Sequence, residues 1–308
     1  MTLSQLLPQP NHRLRRLLTR EQIKNPYPAF LYKYRTGCEE YLDRLIVHNE
    51  FYFSHRDQFN DPFDARCQML YEGSREQKLE RFNKLIEGRQ LRFKERAQLR
   101  AQFLDPEKIG PLVQRSFEHT ADHVGIYSLT ENPRSLLMWA HYANSHQGIC
   151  LQFYVPSSPI FREAFPVKYS DDFLKINWVT SDDEQENLTM TALLTKSLEW
   201  KYEEEWRILK KGHPRTQLSI NPGALIGVIY GARCQSKAFE RVRDLINERI
   251  ERGHPPLFEW KAKLSPAHFG VGIFRHNSTV PKKWTGRAST QVRSVASLSE
   301  DSRPYTPK

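Results

Sequence analysis

Short stretches of this chain alternate between hydrophobic and polar residues or form brief apolar runs, and both patterns are typical of strands. The predicted strands are Phe30–Arg35, Phe51–Ser54, Gly125–Thr130, Gly148–Phe153, Pro166–Tyr169, Trp200–Leu209, Leu225–Gly231, Leu257–Ala262 and Phe269–Ile273. Apolar residues at helical spacing predict helices over Glu39–His48, Ser135–Ala143, Leu188–Ser197 and Ser236–Arg252, and two more that break near Gly88. The strands are interrupted by single helices without regular βαβ alternation, which predicts an α+β fold with a central mixed, partly antiparallel sheet.

Composition shifts along the chain predict its organisation. Residues 1–28 are polar, basic and rich in proline, and we expect a basic leader there. Residues 29–274 are expected to form a single α+β domain of catalytic type, with a basic helical insertion at about 74–107. Residues 275–308 combine Ser, Thr, Pro and basic residues with little periodicity, which predicts a flexible basic tail.

The stretch Trp200–Leu209 carries the densest mixture of aromatic and charged residues. Side chains two positions apart share one face of a strand, so Glu203, Glu205 and Arg207 are expected to project together. Two carboxylates and a guanidinium are costly to bury unless they pair or bind a ligand. A functional site or a buried ion network is therefore expected here.

The chain has 308 residues, of which 39% are hydrophobic and 12% aromatic, as in a globular protein. Its net charge of +10 favours an acidic partner, such as nucleic acid or a nucleotide. The best place to hold an acidic polymer is the predicted insertion. Its basic residues include Arg89, Arg92, Lys94, Arg96 and Arg100.

Four cysteines without a Cys-x-x-Cys pair are expected to be reduced core thiols. The first twenty residues contain no apolar run of signal-peptide length, and the longest apolar stretch, 224–232, is too short to span a bilayer. These observations predict a cytoplasmic protein with no membrane partner.

Four motifs, taken together, resemble a widespread bacterial family known only as a domain of unknown function. They are Leu31–Arg35; Tyr52–Ser54 with Phe59–Asp64; Ser128–Thr130 with Met138–Ala143 and Gly148; and Trp200-x-x-Glu203-x-Glu205-Trp206-Arg207. They occur in the family's order, over about residues 30–273. The resemblance carries no activity with it, because the family is defined without one.

The order of a basic residue, a serine and a Glu-x-Glu pair is more remotely similar to toxin-type ADP-ribosyltransferases. Lys33 or Arg35 stands on the first strand, Ser54 on the second, and Glu203 and Glu205 on a later one. This chain departs from that pattern, since the first position is either Lys or Arg and the Ser-Thr-Ser motif is absent. The resemblance implies an ADP-ribosyltransferase-like fold and an enzyme that uses NAD as its substrate without a metal.

The same resemblance implies a role for each matching residue. Glu205 would hydrogen-bond the ribose and stabilise its oxocarbenium character, Glu203 would orient or deprotonate the acceptor, and Ser54 would shape the second strand. The expected NAD-binding residues are Lys33 or Arg35 for the pyrophosphate and Tyr34 or Tyr52 for the nicotinamide. Further candidate residues are Asn60, Asp61, His141 and Arg207. The acceptor would be RNA, DNA or protein in a toxin or phage-defence system, with an antitoxin or regulatory protein as partner.

Two other functions are compatible with the same residues. The first is a metal-dependent nuclease or phosphodiesterase with His141 as base and four carboxylates around a divalent ion, namely Asp61, Asp64, Glu203 and Glu205. The second is a non-catalytic binding module, in which Glu203 and Glu205 pair inside the sheet with Lys33, Arg35 and Arg207.

Overall fold

The structure is a computed structural model, and it describes residues 28–181 and 185–276. The predicted basic leader and most of the predicted tail, from residue 277 on, lie outside these residues. The described helices are α1 Leu42–Ile46, α2 Arg75–Ile86, α3 Phe93–Phe103, α4 Pro106–Asp122, α5 Leu136–Tyr142, α6 Gln185–Leu193 and α7 Ser236–Glu251. The strands are β1 Phe30–Arg35, β2 Glu50–Phe53, β3 Gln68–Leu70, β4 Val124–Thr130, β5 Ile149–Tyr154, β6 Ala164–Pro166, β7 Lys168–Ser170, β8 Lys175–Asn177, β9 Thr195–Ser197, β10 Glu205–Lys211, β11 Thr216–Ser219, β12 Leu225–Tyr230, β13 Phe258–Leu264 and β14 Val271–Arg275.

Most predicted elements are present, with two corrections near the carboxylates. Strand β1 has the predicted bounds, and the helix break near Gly88 is confirmed by α2 and α3. The predicted helix Leu188–Ser197 is wrong at its end, because α6 stops at Leu193 and β9 follows at once. The predicted strand from Trp200 is wrong at its start, where Leu198–Glu203 form a 3-10 helix.

The described residues form two compact units, each built from separate segments of the chain. The first unit contains Tyr52–Leu129 and Ile160–Leu218, and the second contains Pro28–Phe51, Thr130–Pro159 and the segment from Ser219 to residue 276. Strands β2, β4 and β11 cross the unit boundaries in sequence. Each unit is described by itself below.

The second unit contains five neighbouring strands of a mixed sheet. Its strand order is β14-β13-β12-β5-β1, and Thr130 pairs with Tyr32 of β1. Strands β12 and β13 run parallel, whereas the neighbours β5 and β1 are antiparallel in continuous register from Phe30–Tyr154 to Arg35–Ile149. A parallel pair needs a crossover, which here contains helix α7. Strands β5 and β12 are almost entirely buried, in keeping with their uninterrupted apolar sequences.

The first unit packs helices α2, α3 and α4 against an aromatic core. The Phe103 ring lies 5.3 Å from the ring of Phe82 and 6.0 Å from that of Trp178, and all three are fully buried. Local sequence fixes the helix starts. Ser74 and Gln77 form a capping box at α2, and Asp105 caps α4 with proline at its first position.

The strands of the first unit include one antiparallel pair and two parallel pairs. Strand β10 pairs with β6 in antiparallel register, while β3 pairs with β8 and β7 with β9 in parallel. Helices and mixed sheets together confirm the α+β class. No helix within the described part of the chain has the length and apolar character needed to cross a membrane.

Candidate functional site

The backbone departs from strand geometry immediately before β10. Leu198–Glu203 form a 3-10 helix, and Glu204 follows in the left-handed region with φ of 44°. Strand alternation therefore begins at Glu205, and it places Glu205 and Arg207 on the same face as predicted. Glu203 reaches the site from the helical turn instead. The position of its carboxylate is therefore set by a tertiary contact, the hydrogen bond with Lys196, and not by strand alternation.

Lys196 is the residue on which the carboxylates converge. It lies in the middle of β9 and is 6% exposed. Its Nζ is 2.5 Å from Glu203 Oε2, 3.3 Å from Glu205 Oε2 and 3.4 Å from Asp64 Oδ2. The ammonium also stands 4.8 Å from the centre of the Trp200 ring, within cation–π range.

Arg207 forms the second centre of positive charge and is completely buried. Its Nε donates to Glu205 Oε1 at 2.8 Å, and its Nη2 donates to both oxygens of Asp64 at 2.8 and 2.7 Å. Nη2 also contacts Glu205 Oε2 at 2.9 Å, while Nη1 donates to the carbonyl of Leu193 at 2.7 Å. The guanidinium thus links β10 to the motif Phe59–Asp64 and to the end of α6.

The remaining surroundings of these charges are also polar or aromatic. The Glu205 backbone N–H donates to the Tyr169 hydroxyl at 2.8 Å, and the Ser128 side chain hydrogen-bonds the Glu205 carboxylate. The Phe59 ring lies 5.2 Å from the Arg207 guanidinium. Three carboxylates and two cations therefore share one buried volume, which we call the ionic network: Asp64, Lys196, Glu203, Glu205 and Arg207.

The ionic network holds Glu205, Lys196 and Arg207 in their charged forms. Burial by itself would raise the pKa of Glu205, but the charges of Arg207 and Lys196 outweigh burial and lower it to about 2. Burial would lower the pKa of Lys196, whereas Glu205, Asp64 and Glu203 together raise it above its ordinary value. The pKa of Arg207 is raised for the same reason, chiefly by Glu205 and Asp64 acting against burial.

The ionic network offers no ready place for a divalent ion. Three carboxylates around one point would suit a metal, but the Lys196 ammonium occupies that point. Within residues 28–181 and 185–276, no group of three or more His, Cys, Asp or Glu side chains is arranged as a metal site. Asp61 has a separate role, because its Oδ1 accepts the backbone N–H of Phe63 at 2.8 Å and closes the turn.

Ser54, Tyr52 and Asn60 lie in the first unit. Ser54 is half-buried and forms a backbone bridge with Ile126 of β4. The hydroxyl of Tyr52, which is 37% exposed, is hydrogen-bonded to the Gln58 side chain. Asn60 is exposed in the turn before Asp61.

The remaining predicted residues belong to the second unit. Lys33 and Arg35 are half-buried on β1, opposite Leu151 and Ile149 of β5. Tyr34 is a core residue. Its hydroxyl donates to the Asn132 carbonyl at 2.9 Å, and its ring packs edge-on against Trp139 at 5.0 Å. His141 is exposed near the end of α5.

Lys196 was not predicted as a site residue. The apolar pattern before it extended the predicted helix to Ser197, so Lys196 fell within the last turn of that helix. A usable signal was the spacing of Lys196 and Trp200, because a lysine close to an aromatic residue and three acidic residues favours a shielded cation.

Comparison with known proteins gives one match. Residues 138–208 match the family model described as "Protein of unknown function (DUF2971)". No curated protein and no solved structure matches the chain. The matched segment includes α5, β5, Lys196 and the ionic network's residues on β10, and it confirms the resemblance to an uncharacterised domain family over residues 138–208.

Proposed function

We propose that this chain is a nucleic-acid-binding module, in which the ionic network supports the fold and the basic helices of the first unit contact the ligand. The observation that carries the proposal is a group of three exposed cations within nine residues, Arg92, Lys94 and Arg100. None of the three has an ion-pair partner among the described residues. Unpaired surface cations in a cluster favour a polyanion, because binding releases its condensed counterions.

Charge along the helices supports the same proposal. From Arg75 to Arg100 the chain has nine Lys and Arg residues against four Glu, which gives this segment a net charge of +5. From Arg89 to Arg100 there are five basic residues against a single Glu. The apolar residues Leu99 and Phe103 fix α3 to the core, so its cations are presented on an anchored helix.

The ionic network supports a structural role for the carboxylates. Glu203 and Glu205 are 4% and 5% exposed, and each binds Lys196. A catalytic carboxylate must touch its substrate, which these two could do only after Lys196 moved away. Paired charges of this kind hold chain segments together, as Arg207 does for β10 and the turn at Asp64.

The proposal is tested by fluorescence anisotropy with the purified chain and labelled oligonucleotides over a series of salt concentrations. The variant carrying Arg92→Gln, Lys94→Gln and Arg100→Gln should bind weakly. Its log–log salt slope should be smaller by about 2, since each lost phosphate contact removes about 0.7 for a single strand. A charge-matched control replaces three exposed cations of the second unit, Lys237→Gln, Lys263→Gln and Arg275→Gln.

The control variant should keep most of the affinity and the wild-type salt slope. Equal losses in the two triple variants would mean that net charge alone attracts the ligand, and that would overturn the proposed surface. Absence of binding by the wild-type chain at low salt would overturn the function itself.

NAD-dependent ADP-ribosyl transfer is the second candidate function. One observation favours it, namely that Glu203 and Glu205 converge beside the Ser128 and Tyr169 hydroxyl groups although they leave the backbone from different elements. The test is incubation of the chain with labelled NAD and with RNA, DNA and protein fractions. Transfer of label that is lost in a folded Glu205→Gln variant would support this candidate. The absence of both label transfer and nicotinamide release would eliminate it.

A further inference from the structure

Helix α3 presents an aromatic ring among its unpaired cations. Phe93, the first residue of the helix, is 87% exposed. A single exposed phenylalanine is common on protein surfaces, so the informative feature is the charge that surrounds this ring. Arg92 and Lys94 are its chain neighbours, and both are exposed.

The surface beside the ring is low and open. Ala97 lies four residues after Phe93 and therefore on the same face of the helix, and Ala101 follows one turn later. Both alanines are exposed and too small to cover the ring. Arg100, seven residues after Phe93, bounds this surface at the far end.

A groove lies nearby between the end of α2 and the start of α3. It has a volume of about 490 Å³, and its charged lining consists of Lys84, Arg89 and Arg96 together with Glu80 and Glu87. Lys84 is paired with Glu80 at 3.0 Å, and Arg96 hydrogen-bonds the Asn83 side chain at 3.2 Å. The groove is open to solvent.

We propose that the ligand of this surface is single-stranded nucleic acid, with a base stacked on Phe93 and the phosphate backbone held by Arg92, Lys94 and Arg100. The inference rests on the proposed nucleic-acid binding. A base in a duplex is already stacked on its neighbours and leaves no face for Phe93. An unpaired base can stack on an aromatic ring whatever the sequence of the strand. The neighbouring groove, lined by Arg89 and Arg96, provides the path by which the strand leaves Phe93.

The test measures the affinity of the full chain for an oligonucleotide of about 12 residues, as single-stranded DNA, single-stranded RNA and duplex DNA. Phe93→Leu should weaken binding of both single strands by about 5- to 100-fold, which corresponds to one lost stacking contact. Duplex affinity should hardly change. Phe93→Trp should keep the wild-type affinity for single strands, because tryptophan can also stack on a base. Phe269→Leu is the matched control, since Phe269 is also exposed, at 98%, but lies in the second unit.

An oligonucleotide with abasic sites separates stacking from charge. It keeps every phosphate, so the wild-type chain should bind it about as weakly as Phe93→Leu binds the intact strand. Equal affinity of Phe93→Leu and the wild type for intact single strands would overturn the inference. If the triple basic variant still lost affinity in that case, the proposed function would stand without a base-stacking residue. Preference for the duplex would also overturn the inference.

Discussion

Each unit of this protein contains a completely buried arginine, and the two arginines differ in what they bind. Arg207 in the first unit donates to the carboxylates of Glu205 and Asp64. Among the described residues, Arg249 in the second unit donates only to neutral acceptors, which are the carbonyls of Pro255, Ile46 and Pro222 and the side chain of Asn49. Both guanidinium groups are satisfied with hydrogen bonds, but only one is matched by opposite charge.

The contrast shows that hydrogen bonding and charge compensation are separate requirements of a buried cation. Burial lowers the pKa of Arg249 to about 10, because carbonyl dipoles do not offset the loss of water. At Arg207 the nearby carboxylates reverse the direction and raise the pKa. Arg249 therefore chiefly links helix α7 by hydrogen bonds to the chain at Ile46–Asn49, at Pro222 and at Pro255. Arg207, in contrast, is one of a set of charges that stabilise one another.

The largest effect is expected from Arg207→Met. This substitution keeps approximate side-chain volume but leaves Asp64 and Glu205 buried with Lys196 as their shared cation. Removal of one partner from a buried ion pair typically costs about 3–5 kcal/mol. Urea denaturation followed by tryptophan fluorescence should show that loss in the free energy of unfolding at pH 7.

A second substitution tests whether the cost comes from unpaired charge. Asp64→Asn in the Arg207→Met background removes one of the carboxylates that lost its partner. The double variant should lose less stability than the sum of the two single variants, by about 0.5–3 kcal/mol. Strict additivity would show that Arg207 acts through packing rather than through the ionic network.

Arg249→Met should have a smaller effect, with a loss of about 1–3 kcal/mol. The acceptors that it leaves behind are neutral, and the substitution also removes a buried charge whose own pKa is unfavourably lowered. The same urea measurement is suitable, with Arg207→Met studied in parallel. A loss equal to that of Arg207→Met would mean that neutral acceptors stabilise a buried guanidinium as well as carboxylates do.

Sequence periodicity predicted strands β1 and β5 of the second unit better than strand β9 of the first unit. In the second unit, β1 and β5 alternate or run apolar over six residues, and such local patterns are enough to define strands. In the first unit, β9 has three residues and is preceded by a helix, so the pattern extended the helix through Lys196. Short strands carry too few residues for a period to appear.

The candidate site was harder to predict than the strands, because tertiary contacts bring most of its residues together. The face shared by Glu205 and Arg207 followed from alternation, since both lie on β10. The approach of Asp64 from 143 positions away did not, and neither did the 3-10 turn that brings Glu203 to Lys196. Charge pairing across such separations is decided by the fold as a whole, which local sequence does not encode. The exposure of Phe93 was likewise hidden, because an aromatic residue in a helical pattern is predicted to be buried.

The last comparison is a difference between the two arginine sites in acid. The pKa of Glu205 falls from an ordinary 4.5 to about 2 in the folded state, so the unfolded chain binds the proton first as the pH decreases. The stabilisation from the Glu205 charge is therefore complete above pH 4.5 and is lost as the pH falls towards 2. One proton accounts for at most about 1.4 kcal/mol per pH unit.

Urea midpoints measured between pH 5 and pH 2.5 should show this loss in the wild type. Glu205→Gln should be less stable than the wild type at pH 5, and the difference should shrink towards pH 2.5 because the variant has no proton to take up at that position. Arg249→Met should follow the wild-type acid dependence, since Arg249 stays charged throughout this range and pairs with no carboxylate. A constant gap between Glu205→Gln and the wild type would show that the Glu205 side chain contributes through its hydrogen bonds alone, and the contrast between the two buried arginines would then rest on geometry instead of charge.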